Sequence, residues 1–224
     1  MDSTEIRATY RHTASRITVI AHLLGITAIV LLLVWLLHYR GGLNLDSNNP
    51  DHIFNVHPFL MFFGFIFIAG EGMMAYKTVL AERNVQKFVH LALQFIAMVL
   101  GIVGIYAVFK YHNKNNLVNL YSLHSWIGLG TFCLFGLQWI YGFWAFWYPK
   151  ASSITRARVL PWHVSLGRAL LYMAVCAALT GLMEKFTFLG LQHQREAHLI
   201  NFTGLAILLF GIVVDLSIAL ARYI

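Results

Sequence analysis

His57, His90, His124 and His163 fall in four successive hydrophobic segments, each near a segment end. Imidazole is a common axial ligand for haem iron, and two facing helices can each supply one ring. A lone histidine near a helix end is ordinarily an interfacial or hydrogen-bonded residue. His12, His38, His52, His112 and His193 fit that description, since they lie in tails or loops. The four together read differently, because polar groups inside a membrane are costly and usually functional.

The elements that position these rings follow from composition. Of 224 residues, 59% are hydrophobic and only 11% charged, against about 25% charged in a soluble domain. The chain is therefore expected to be all-α, a polytopic membrane protein folded as one domain over residues 1–224. Six spans of roughly 20 residues can be drawn, over 17–38, 54–76, 88–109, 120–147, 161–183 and 197–221. Turn-formers mark the joints at 41–50, 112–116 and 149–158, and no soluble domain fits between them. Residues 1–16 are polar and hold Arg7, Arg11 and Arg16, which is not the pattern of a cleavable signal peptide. Cys133 and Cys176 fall inside apolar segments and read as small buried hydrophobes.

Lys and Arg near the span ends set orientation. One side collects ten: Arg7, Arg11, Arg16, Lys77, Arg83, Lys87, Lys150, Arg156, Arg158 and Arg222. The other collects five, Arg40, Lys110, Lys114, Lys185 and Arg195, so both termini are expected in the cytoplasm. The net charge of +7 is thus spent on a bilayer, not on nucleic acid.

Alternating span direction then sorts the histidines by depth. His57 and His124 fall near the outer face, His90 and His163 near the inner. Two pairs about 20 Å apart along the membrane normal, at 1.5 Å per residue, predict two stacked haems. A proton-relay or transition-metal site would gather its ligands at one depth. No Cys-x-x-Cys-His occurs, so the haems would be non-covalent haem b. His22 and His198 also sit just inside spans, with no second histidine left at matching depth. Glycines follow each ligand candidate: Gly64 and Gly70, Gly101 and Gly104, Gly128 and Gly130, and Gly167. They suit either a flat macrocycle or tight helix packing.

The run Ser122-Leu-His-Ser-Trp-Ile-Gly128 resembles a signature of the cytochrome b561 family of ascorbate-reducible transmembrane cytochromes. Met74-Ala-Tyr-Lys-Thr-Val79, followed by Arg83 and Lys87 ahead of His90, is similar to that family's cytoplasmic basic segment. The resemblance spans the whole chain and is closest to plant members in layout. It implies a four-helix haem core from spans two to five, flanked by spans one and six. It also implies electron entry from cytoplasmic ascorbate, exit to monodehydroascorbate or ferric chelate on the far side, and a homodimer. Lys77 stands where many relatives carry Arg, which keeps the charge but not the bidentate fork. The carboxyl-terminal tail is very short for a family role of a basic tail.

Ascorbate and haem propionates are both anions. Lys77, Arg83, Lys87, Arg156 and Arg158 cluster beside the inner histidines, where they serve either as topology anchors or as anion partners. Lys77, Arg83 and Arg156 rank first as haem-periphery residues and, with Lys87, as a cytoplasmic substrate site. On the far side Asn119, Leu120, Tyr121 and Ser122 precede His124 by one turn and offer donors to a propionate. Lys110, His112 and Tyr121 are placed either for an outer substrate or for solvation of the loop. Glu184 lies about 31 Å along a helix from His163 and so reaches the outer haem's level. Arg168 is a propionate partner or snorkels inward, and Glu71 and Asp215 must be paired or protonated. Two rival functions remain open: a quinol-linked di-haem cytochrome, and a six-span transporter using histidine for protons or metal.

Overall fold

The computed structural model describes residues 3–220, with side chains from position 16 onward. The side chains of Arg7 and Arg11, together with Arg222 and the predicted span end at 221, lie outside the described residues.

Six long helices form. Helix α1 (Ser3–Val34) ends in a π-helical turn, Trp35–Tyr39. Helix α2 (Pro50–Thr78) is interrupted by a π-helical stretch, Leu60–Phe67. Helices α3 (Arg83–Lys114), α4 (Leu123–Phe146), α5 (Ser153–Phe188) and α6 (Arg195–Leu220) complete the set. All six are long and apolar enough to cross a membrane, so this is a multi-pass integral membrane protein whose described ends share one face. That face is called proximal below, and the other distal.

Three expected boundaries shift. The fifth helix begins at Ser153, eight residues before the expected position 161, so the stretch 149–158 is only partly a turn. His112 and Lys114 belong to the last turn of α3. The fourth helix starts at Leu123, and Leu120 stands outside it in a left-handed conformation, φ 57°. One cause covers the two shifted helix starts. Hydropathy marks where lipid begins, whereas capping marks where a helix begins. Ser152 accepts from Thr155 N at 3.2 Å, and Ser122 forms a capping box with Ser125.

Antiparallel neighbours pack as hairpins: α2 on α3, and α4 on α5. The two hairpins face each other, while α1 lies along α6 and the pair closes one flank. Close approach of α6 to α2 depends on Gly70, where an added Cβ would come within 2.7 Å of Phe210 Cζ. Phe210 itself is wholly buried. Cys133 and Cys176 are free and exposed on the outer helix surfaces, not buried as expected.

Three carboxylates within the helices, Asp215, Glu71 and Glu196, are paired. Asp215, 8% exposed at its side chain, receives the Arg168 guanidinium in a two-pronged bond, Nη2 to Oδ2 at 2.9 Å, and Tyr172 Oη at 3.1 Å. That disposes of Arg168 as a free cation. Glu71 meets His22 Nε2 at 3.0 Å across α1 and α2. Buried Glu196 accepts from Trp35 Nε1 at 2.6 Å and from Arg40 at 2.7 Å, tying α6 to the end of α1. Removing one member of a buried pair strands the other charge. Arg168→Met is expected to cost about 3 kcal/mol, and Arg168→Met with Asp215→Leu to recover most of it. Thermal unfolding in detergent checks this; equal loss in the single and double variants would contradict it.

Candidate functional site

The two hairpins bring the four histidines together as two pairs. His57 on α2 faces His124 on α4 with ring centroids 6.1 Å apart. His90 on α3 faces His163 on α5 at 6.2 Å. The first pair lies toward the distal face and the second toward the proximal face.

Three of the rings are fixed from behind. His57 Nδ1 lies 2.9 Å from Gly104 O, His90 Nδ1 2.7 Å from Gly72 O, and His124 Nδ1 2.7 Å from Ala177 O. A carbonyl can only accept, so each Nδ1 carries the proton and each Nε2 keeps its lone pair for a metal. His163 Nδ1 is buried with no such acceptor. Glycines let the rings seat closely against their hairpin partners. A Cβ on Gly181 would stand 2.7 Å from His124 Cε1, and one on Gly142 3.1 Å from His163 Cε1. Neither glycine stands out in the sequence, because each acts on a histidine of another helix. By contrast, Gly64 and Gly101 serve helix packing, against Leu100 and Phe132.

A cavity surrounds each pair. The distal one, about 1470 Å³ including its open side, is lined by His57, His124 and apolar residues such as Phe62, Val108 and Leu129. The proximal one, about 2680 Å³ on the same footing, holds His90 and His163 among Trp139, Phe143 and Phe146. Two metal–imidazole bonds of about 2 Å, with a ring radius added at both ends, come to about 6 Å. Among the described residues no three His, Cys, Asp or Glu side chains gather as a protein-only metal site requires. Each pair would offer two nitrogen donors to an ion that brings its remaining ligands with it, as a haem would. Cys133 and Cys176 line neither cavity.

The expected rim residues divide cleanly. Lys77, Arg83, Lys87 and Arg156 all line the proximal cavity, whereas Arg158 does not. Arg83 sits over the Tyr76 ring at 4.3 Å. Lys77 Nζ is buried without a hydrogen-bond partner among the described residues. At the distal cavity stand His112, Asn119, Leu120, Tyr121, Ser122 and Glu184. His112 Nδ1 lies 3.0 Å from Asn119 Oδ1. Lys110 is not brought there; its ammonium donates to Leu45 O at 3.0 Å and Asp46 Oδ1 at 3.1 Å. Lys185 lines that cavity instead, with Nζ 4.0 Å above the Phe54 ring. In the sequence it reads only as a topology charge beside Glu184.

The sequence model of eukaryotic cytochrome b561 matches residues 56–189, which include all four histidines. The chain belongs to this family. Membership in the cytochrome b561 family implies haem b, and the paired imidazoles, apolar walls and unpartnered Lys77 ammonium fit that group. Transmembrane ascorbate ferrireductase 1 of Arabidopsis thaliana is 46% identical over 211 residues, covering 92% of this chain and 88% of the relative. Ascorbate-specific transmembrane electron transporter 2 of Zea mays is 46% identical over 203 residues, 88% and 86% of the two chains. Similarity extends to animals: the transmembrane ascorbate-dependent reductase of Mus musculus is 38% identical over 208 residues, 91% and 82% of the two chains.

The glycine seats yield an expected outcome. Gly181→Ala must push the His124 ring and should lower haem retention, whereas Gly204→Ala, whose nearest contact would be 3.4 Å from Leu179, should not. Absorbance per purified chain measures both. Equal retention would mean that Gly181 does not seat the ligand.

Proposed function

We propose that this chain carries electrons from ascorbate across a membrane through two haem b groups. One sits between His57 and His124, the other between His90 and His163. The observation that supports this most is the pair of facing imidazoles at each end of one helix core, 6.1 and 6.2 Å between centroids. When bound, each haem supplies a one-electron ferric–ferrous couple.

The protein's part is to place, shield and charge the path. A haem held by both histidines of a pair would leave no open position on iron, so a substrate would be held at the cavity rim. At the proximal rim Lys77, Arg83, Lys87 and Arg156 present four cations toward one opening, which favours an anionic donor such as ascorbate and steers its approach. Lys77, Arg83 and Arg156 also lie where propionates of the inner haem would be met. At the distal rim Asn119, Leu120, Tyr121, Ser122 and Glu184 form the haem periphery. His112, Tyr121 and, beyond the initial expectation, Lys185 face the acceptor, monodehydroascorbate or a ferric chelate. The ten-to-five distribution of basic residues supports a cytoplasmic position for the proximal, termini-bearing face.

Single histidine variants test the pairing. His57→Ala and His124→Ala should remove one spectral component, and His90→Ala and His163→Ala the other. Loss of the same component from His57→Ala and His90→Ala would refute it.

Sidedness has its own test in oriented vesicles. Reduction by ascorbate should begin at the termini-bearing face. Neutralising Lys77, Arg83 or Arg156 should slow it several-fold while leaving reduction by an uncharged photoreductant unchanged. The ascorbate effect should fade as salt rises, since the screening length is about 8 Å at physiological ionic strength. Equal slowing with both reductants would place these residues on haem rather than on substrate.

A further inference from the structure

Three residues line both cavities: Phe65 and Ile66 of α2 and Ala174 of α5. Phe65 is the one aromatic among them, 4% exposed, and its ring packs against α4. Centroid distances are 5.3 Å to Phe132 and 4.9 Å to Phe135. Phe132 is held in turn by Gly101, where a Cβ would meet its Cε2 at 2.5 Å. The π-helical stretch Leu60–Phe67 gives Phe65 this direction. Phe62 and Phe67, five residues apart, both pack on Phe210 of α6, which the wider π turn allows and a regular α turn would not. The intervening Phe65 then projects away from α6 and into the wall between the cavities.

We infer that Phe65 fills the septum between the two haem cavities and sets the rate at which an electron passes from one to the other. This rests on the two-haem reading above. An electron crossing between two buried cofactors tunnels more readily through packed atoms than through a void. Of the three residues common to both walls, Ile66 and Ala174 are aliphatic, and Phe65 brings the largest side chain and the one aromatic ring. The Phe65 ring meets the rings of Phe132 and Phe135 rather than those of the four histidines, so its expected effect is on transfer and not on ligation.

The experiment prepares wild type, Phe65→Ala and Phe65→Leu with full haem, injects one electron by a light pulse, and follows its redistribution between the two spectral components. Wild type should show a resolved transfer phase. Phe65→Ala should slow that phase by an order of magnitude, and Phe65→Leu, which leaves a smaller void, should fall between. The absorption spectra and both reduction potentials should stay at wild-type values. Unchanged transfer rates in both variants would overturn the inference, and so would slowing accounted for by a shift in either potential. Should Phe65→Ala shed a haem, the leucine variant alone decides on the same criteria. A wild-type protein with a single haem component would instead overturn the two-haem reading, which separates the two failures.

Discussion

Two imidazole rings must face each other with their Nε2 lone pairs free, inside a medium that solvates neither. In this chain the requirement is met by backbone. His57 of α2 leans on Gly104 O of α3, and His90 of α3 leans on Gly72 O of α2. The first hairpin thus fixes one ring at each end of itself by a reciprocal pair of bonds. The second hairpin fixes His124 on Ala177 O in the same way and holds His163 by packing against Gly142 and the Phe146 ring, without a bond to Nδ1. Each hairpin then offers one imidazole to each end, and a facing pair forms only where hairpins meet. The pairing of the rings is therefore inseparable from the docking of α2–α3 on α4–α5.

Outside the core, the same scarcity of water governs every polar group. Carboxylates within the spans carry partners on neighbouring helices: Glu196 with Trp35 and Arg40, Asp215 with Arg168 and Tyr172, Glu71 with His22. These pairs fasten α1 and α6 to the core, and α1 to α6, at both faces. Their charges are satisfied internally, whereas the buried Lys77 ammonium has no hydrogen-bond partner and stands with Arg83, Lys87 and Arg156 on the wall of the proximal cavity. Charge is thus sorted by place: paired where it secures helices, gathered with one sign at the proximal cavity.

Much of this was legible in the residues. Six apolar segments and four histidines of alternating depth lead to the helix count and to both pairs, because hydropathy and span direction are sequence properties. The distal rim from Asn119 to Ser122 follows from its one-turn offset to His124. Other features were hidden for identifiable reasons. Helix α5 begins at Ser153, in water, where hydropathy carries no signal and only the Ser152 cap marks the start. Gly142 and Gly181 act on histidines of a neighbouring helix, so their role depends on inter-helix register. Lys110 turns to Asp46 while Lys185 enters the cavity, a choice set by side-chain direction at helix ends. Arg168 and Asp215 are both visible as intramembrane charges, but only packing of α5 on α6 joins them.

The central claim is that each histidine pair holds one haem by both axial positions. Haem content per chain, measured on purified protein together with low-temperature electron paramagnetic resonance of the oxidised state, tests it most directly. The account requires two haem b per chain, both low-spin with two nitrogen axial ligands and no high-spin signal. A ratio of one, or a high-spin fraction matching one haem, would contradict it.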